Sequence, residues 1–380
     1  MESPLKNHFE RVYVHESARG SRLAARAAEF FGAARIEWVS ERPLAAVQGA
    51  LSPSEFERSK RQLFITRFEG AFFKQCPGAQ NVACCNYFVL NLGQQCNMNC
   101  SYCYLQSYLN SPLLTLYSNI EDALQELAAM RERHADLPIR IGTGEVMDSL
   151  SLDELTRHSV DLIEFFKTVP KWKLEFKTKS DNVGQFLDRS HAGNVFVSWS
   201  INPQYVISRE EHGTATLERR LVAARQCADR GFKIAFHIDP MIWHPEWREN
   251  YGALIDRLME LFTPDELPQI SVGALRFQPD QRHMMRARFG MESLVTSGEL
   301  FLSRDGKLRY DQATRNEMFK FVVERFRANS PLWKVWLCME SPESWLSTFE
   351  STPRNVKELE PLFRPLPNPK ALGVAHGGLR

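Results

Sequence analysis

The chain has 380 residues, 43% hydrophobic and 24% charged, with a net charge of +1. That is the make-up of a folded protein of one large α/β unit or two to three domains. The near-neutral charge excludes a global attraction to nucleic acid or membrane, so any such contact must be local. No apolar run reaches the length of a membrane span, and residues 1–14 lack the apolar core of a secretion signal. Eight cysteines are too sparse for a disulfide scaffold. The expected location is the cytoplasm, with the cysteines serving as ligands or reactive thiols.

Residues 9–40 read as strand, helix, strand, and residues 53–63 as a charged, exposed helix capped by Ser52. Cys76, Cys84 and Cys85 follow around a Pro77-Gly78 turn, either as structural thiols or as part of a second metal or redox site, with Cys338 as a candidate fourth ligand.

Residues 91–106 hold Cys96, Cys100 and Cys103 at spacing C-x3-C-x2-C, with Tyr102 and Tyr104 flanking the last cysteine. Thiolates are soft ligands that suit zinc or iron–sulfur clusters. A structural zinc site closes its fourth corner with another Cys or His, and no His lies between Asn86 and Asn119. The spacing is the one that marks radical S-adenosylmethionine (SAM) enzymes, in which three cysteines hold a [4Fe–4S] cluster and SAM occupies the fourth iron.

From Tyr87 onward, apolar runs of strand length recur at 87–92, 138–141, 172–176, 195–201, 233–238 and 269–275. Helical stretches lie between most of them, at 119–134, 152–168, 182–189, 216–230 and 246–262. Ser118 or Asn119 caps the first, Ser151 with Glu154 forms a capping box on the second, and Gly231 ends the fourth. The alternation predicts parallel strands with right-handed crossovers. Six units suit an open, partial (β/α)6 barrel with its chemistry at the C-terminal strand ends. Those ends carry polar groups: Gly142-Thr143-Gly144-Glu145 with Asp148, Lys177-Thr178-Lys179, Ser198–Asn202, then His237 and Asp239, then Arg276.

The expected organisation is an α/β protein. It has a small N-terminal α/β region (1–85), the partial barrel (86–280) and a C-terminal extension (281–380) with a β-hairpin, a helix and a mobile tail after Ser351. The hairpin, 299–310, is expected to turn on Asp305-Gly306 as a type I′ pair. Between Arg276 and Arg309 seven Lys/Arg face four Asp/Glu. This modest basic patch, with Arg282, His283, Arg286 and Arg288, is either a solvated face or a phosphate-contacting surface.

The chain resembles the spore photoproduct lyase family of radical SAM proteins from about residue 60 to about residue 340. The likeness is carried by Cys96–Gln106, Lys179 with Phe186-Leu187-Asp188, Ser200–Val206, Glu211–Thr214, Arg219–Ala224 and His244–Trp247. The resemblance implies a (β/α)6 barrel and a [4Fe–4S] cluster on Cys96, Cys100 and Cys103. It implies SAM contacts at Lys179 and Ser200, and a part in hydrogen transfer for Tyr104 and its neighbour Tyr102. In the family a 5′-deoxyadenosyl radical abstracts hydrogen from a cross-linked thymine dimer, which reverts to two thymines. An electron donor such as flavodoxin or ferredoxin is implied. Duplex DNA would be gripped through Arg282, Arg286, Arg288 and the hairpin.

One departure stands out. Aligning Arg140-Ile141 and Asp148 with their counterparts puts Glu145 where the lyase has its hydrogen-donating cysteine, and Met147 replaces a serine. Gly-Thr-Gly-Glu resembles instead the Gly-Gly-Glu motif of radical SAM enzymes at large, whose carboxylate holds the SAM amino group. A carboxylate O–H is far stronger than a thiol S–H, so Glu145 suits an ammonium, not hydrogen-atom donation. Three readings stand: a DNA-acting radical SAM enzyme of lyase type, a radical SAM enzyme on a peptide or metabolite, and a non-enzymatic metal-binding nucleic-acid module.

Overall fold

The computed structural model describes residues 3–43, 52–76, 87–109, 111 and 113–351. All six apolar runs become strands: β5 (Phe88–Leu90), β9 (Arg140–Gly142), β10 (Lys173–Thr178), β11 (Val195–Ser200), β13 (Lys233–Met241) and β14 (Gln269–Ala274). They pair side by side in chain order, all parallel. Two strands extend this sheet: β18 (Val335–Leu337), parallel beyond β14, and β4 (Phe73–Gln75), antiparallel beside β5.

The period-two geometry of a strand sorts these residues onto two faces. One set, including Ile141, Leu174, Phe176, Val197, Trp199, Phe236, Ile238 and Val272, joins the main apolar core. The crossover helices cover it: Ile120–His134, His158–Phe166, Leu217–Asp229, Trp247–Leu261 and Gln312–Asn329. The other set is polar and bonds across the inner face. Arg140 pairs with Glu175, Ser198 Oγ donates to Glu175 (2.5 Å), and His237 lies between Glu175 (3.2 Å) and Ser271.

A second sheet is built from β1 (Arg11–His15), β2 (Ile36–Val39), β3 (Gln62–Thr66), β6 (Gly93–Gln94) and β8 (Leu114–Tyr117), in the order β2-β1-β3-β8-β6. Strand pairing therefore crosses residue 85: the segments on both sides of the cysteines complete the N-terminal sheet. The helix Pro53–Lys60 starts on the expected Ser52, in a capping box with Glu55. It is not simply exposed, because Phe56, Ser59 and Lys60 are buried. A small antiparallel sheet joins β15 (Arg276–Phe277), β17 (Leu308–Arg309) and β16 (Phe301–Leu302).

Four local expectations are corrected. Residues 182–189 form successive turns and not a helix; Gly184, a poor helix former, sits mid-segment. The helix over 152–168 breaks at Arg157, which is left-handed (φ 52°), because buried Asp153 accepts from the Ser159 amide (3.0 Å) and starts the second piece. No capping box forms there: Glu154 accepts instead from Ser3 Oγ (2.6 Å). The hairpin turn is a three-residue loop, Arg304-Asp305-Gly306, closed by the Gly306 amide on the Ser303 carbonyl, with Gly306 alone left-handed. Cys84, Cys85 and the expected mobile tail lie outside the described residues. No helix among the described residues is long and apolar enough to cross a membrane.

Candidate functional site

The cysteine loop leaves the sheet after β5 and is tied down on several sides. Asn99–Cys100 forms a strand (β7) antiparallel to Glu211–His212 (β12). From the helix Pro53–Lys60, the buried Lys60 ammonium donates to the carbonyls of Cys96 (3.0 Å) and Met98. Glu57 accepts from Asn99 Nδ2 at 2.8 Å. From the helix Gln281–Phe289, Gln281 Nε2 donates to the Cys103 carbonyl (2.9 Å). Ser101 donates to Glu210 and Tyr102 to Glu211. Gly213, just after β12, is left-handed at φ 75°, a conformation that favours glycine.

Behind the loop lies a buried ionic group. Glu211 takes a hydrogen bond from Asn202 (2.9 Å) and pairs with the fully buried Arg220 (2.7 Å). Arg220 in turn donates to the backbone carbonyls of Ser200 and Ala215, both at 2.8 Å. A sequence offers little to mark Lys60, Glu57 or Gln281 as loop supports. Their partners are 36 to 178 positions away, and each looks like an ordinary surface residue of an amphipathic helix.

Burial pushes the Cys96 thiol up to about 12, with Asp148 and Cys103 adding to it, and burial also raises Cys100, with Lys179 opposing and Glu211, Cys103 and Cys96 adding. Such thiols ionise only beside a cation, and a bound metal supplies that by displacing the proton. Among the described residues no three His, Cys, Asp or Glu side chains gather around a position fit for one ion. Three thiolates on one short loop are a soft donor set of the kind that zinc and iron–sulfur clusters take. Cys338, the candidate fourth ligand beside Cys76, Cys84 and Cys85, follows β18 and lies beside Asp239.

Glu145, Lys179 and Ser200 follow or end the next three strands. Asp148 fastens two of these ends: it accepts from Thr178 Oγ1 (2.7 Å), the Lys179 amide (2.8 Å) and the amides of Leu150 and Ser151. Residue 144 must be glycine for the same closeness, since a Cβ there would stand 2.9 Å from Lys177 Cβ. Burial raises the Glu145 pKa, against Asn91 and Lys74 beside it. Burial also opposes the Lys179 charge, but Glu211 and Cys100 outweigh it and the ammonium is stabilised. Neither the Lys179 ammonium nor the Ser200 hydroxyl has a hydrogen bond among the described residues. Lys179 Nζ stands 5.5 Å from the Tyr102 ring centre. Tyr104 donates to the Glu145 carbonyl (2.5 Å) and is 42% exposed, whereas Tyr102 is buried.

The basic patch is less open than its sequence suggests. The Arg288 side chain is 1% exposed, paired with Glu57, bonded to Gln106 (2.7 Å) and laid over the Phe56 ring. It is therefore part of the loop's support and is removed from the list of phosphate contacts. Arg282 and Arg286 each donate to the Thr296 carbonyl while remaining partly exposed. At the hairpin, Phe301, Leu302 and Arg304 are exposed; Arg309 turns inward to Asp305 and Glu340.

The family model described as spore photoproduct lyase matches residues 41–320, more than half of the chain. A spore photoproduct lyase from Geobacillus sp. (strain Y412MC61) is 26% identical over 257 residues, 67% of this chain and 73% of the relative. That of Bacillus subtilis (strain 168) is 34% identical over 164 residues, 43% and 48% of the two chains. Among solved structures, a spore photoproduct lyase variant with bound AdoMet and dinucleoside spore photoproduct has a TM-score of 0.75 at 23% identity. It covers 87% of this chain and 98% of its own. That likeness shows the fold. With the family model spanning both the cysteine loop and the strand ends that follow it, the chain belongs to the spore photoproduct lyase family of radical SAM enzymes.

Proposed function

We propose that this chain holds a [4Fe–4S] cluster on Cys96, Cys100 and Cys103, binds SAM beside it, and reverses a thymine-dimer photolesion in DNA. The observation that carries this reading is a three-cysteine loop fixed by side chains from distant segments, with an uncommitted ammonium and hydroxyl at neighbouring strand ends. When bound, the cluster supplies the electron that splits SAM into methionine and a 5′-deoxyadenosyl radical. The chain's own residues bind, orient and exclude water. Glu145 accepts hydrogen bonds from the SAM ammonium, Lys179 offers its charge to the carboxylate, and Ser200 offers its hydroxyl. Tyr104, exposed beside Glu145, would pass a hydrogen atom, with its neighbour Tyr102 taking part. The parallel sheet is read as an open, partial (β/α)6 barrel around this site. Arg282, Arg286 and the 299–310 hairpin would meet the duplex, and a flavodoxin- or ferredoxin-type carrier would deliver electrons in the cytoplasm.

Glu145 marks a subgroup in which a carboxylate stands in the place of the donor cysteine. That one residue favours a second reading: the same radical chemistry on a non-DNA substrate. Anaerobic reconstitution should give about four irons per chain and absorbance near 400 nm. SAM with dithionite should then yield 5′-deoxyadenosine. No turnover above a Cys100→Ala control removes both readings. Duplex affinity that does not fall as salt rises removes the DNA reading alone.

A further inference from the structure

The inner face of the large sheet carries a second charged group that the cofactor site does not use. Asp239, in β13, and Arg276, in β15, form a two-pronged ion pair, Nη1–Oδ1 at 2.8 Å and Nη2–Oδ2 at 3.0 Å. Their side chains are only 8% and 13% exposed. The pair has room because residue 273 is glycine: a Cβ there would stand 2.7 Å from Asp239 Oδ1 and 3.0 Å from Arg276 Nη1. Each carboxylate oxygen thus already has a guanidinium partner.

Two further ammonium groups stand on elements near this pair; Lys307 directly precedes β17, whose Arg309 is the ladder partner of Arg276. Lys177, in β10, lies with its stem under Gly144, and its charge bears on Asp239, His237 and Cys338. Lys307, just after the hairpin loop, is partly buried, and the charges of Arg276, Asp305, Arg309 and Asp239 bear on it. Neither ammonium has a hydrogen bond or ion pair among the described residues. Lys177, Lys307 and Arg276 against Asp239 give three positive charges to one negative, a local excess of two. The neighbouring charges offer no relief. Arg309 and Arg315 are matched by Asp305 and Glu340, and burial, with the Lys177 charge, keeps His237 neutral. Like charges that are half removed from water without a counter-ion are unfavourable. They sit at the C-terminal strand ends, where α/β folds take their ligands.

We propose that Lys177 and Lys307 form a subsite for a phosphodiester of the nucleic-acid ligand, beside the Asp239–Arg276 pair. This rests on the reading that the substrate is a lesion in DNA. The chemistry favours phosphate over carboxylate. The one planar fork that would grip a carboxylate on two prongs is already spent on Asp239. Two point-charge ammoniums on separate elements suit a tetrahedral group with several oxygens. The phosphodiester is either the one that joins the two damaged nucleosides or the one that flanks them.

Binding to the reconstituted protein with SAM, without reductant, separates the cases. Three ligands are titrated by calorimetry at one fixed salt concentration: the dinucleoside photoproduct without phosphate, the same dinucleotide with its internal phosphodiester, and a trinucleotide with one flanking phosphate. The expected gain is on the order of tenfold on adding one phosphate. A gain at the dinucleotide assigns the internal group; a gain only at the trinucleotide assigns the flanking one. The gain should vanish in Lys177→Met and in Lys307→Met and survive in Lys177→Arg. Iron content and SAM affinity check that Lys177→Met is folded, and Lys307→Met, in a surface hairpin, provides the independent variant. Equal affinity for all three ligands, or a gain intact in both Met variants, overturns the subsite and leaves the DNA reading standing. Failure to bind any of the three overturns the DNA reading, and the subsite with it.

Discussion

The cysteine loop and the sheet's inner wall near the hairpin are both built from charged side chains at strand ends, but they are finished differently. Around the loop, the groups that hold the backbone are matched within the protein: Lys60 with two carbonyls, Arg220 with Glu211, Arg288 with Glu57 and Gln106. Near the hairpin, Lys177 and Lys307 have no such partners among the described residues, and Phe301 and Leu302 are 53% and 69% exposed. One region is held in place by the protein's own side chains, as the proposed cluster site would need; the other is the one proposed to be completed by a ligand.

The largest effect that would test this contrast is all-or-none. Cys100→Ala should abolish both the absorbance near 400 nm and 5′-deoxyadenosine formation, with the fold retained by circular dichroism. A variant that still binds a full complement of iron would show that the loop is not the ligand set. Next comes the ionic group behind the loop. Arg220→Met leaves the Glu211 carboxylate buried and unpaired, and should cost about 3–5 kcal/mol in urea unfolding. The double change Arg220→Met/Glu211→Leu should recover most of that loss. A single-variant cost below about 1 kcal/mol would mean that the pair does not brace the loop.

The parts legible in the sequence were those with local rules. Six strands and most of their helices follow from periodicity and caps. The three cysteines share one loop as their spacing requires, and Glu145, Lys179 and Ser200 fall at or just past strand ends as the βα alternation predicts; the roles proposed for them rest on the family resemblance. What could not be read depends on distant partners. Lys60 looks like any exposed helix lysine until the helix is laid against Cys96 and Met98. Arg288 looks like a phosphate contact until Glu57, 231 positions away, is found beside it. The N-terminal sheet's use of 93–94 and 114–117 is a non-local pairing that no composition shift announces.

Lys60→Met tests the smaller support. Two carbonyls lose a charged donor inside a closed loop, at a cost of about 2–3 kcal/mol, seen as a lower urea midpoint and faster loss of iron to a chelator. An unchanged midpoint would place water, not Lys60, as the effective partner. A pH background lies beneath both regions. Burial, with the Arg26 and Arg22 charges, lowers His158 to about 3, so the folded protein keeps it neutral. The unfolded chain, with an ordinary histidine pKa near 6.5, takes up a proton that the folded one refuses. Stability from this group is therefore full above about pH 6.5 and is lost as pH falls, by about 1.4 kcal/mol per unit. His158→Asn should flatten that part of the slope, and a slope equal to that of the parent protein would show that other groups set it.

The smallest stability effect belongs to the hairpin, and there its smallness is the point. Leu302→Ser and Phe301→Ser replace side chains that are mostly in water, so unfolding should shift by no more than about 0.5 kcal/mol. If the hairpin meets the duplex, these changes should still weaken lesion-DNA affinity, and Arg304→Gln should reduce the dependence of binding on salt. A hairpin that is merely a brace for β15 would behave the other way, losing stability with binding untouched. The ratio of the two effects, large in binding and near zero in folding, separates a surface kept for a partner from one that is only exposed.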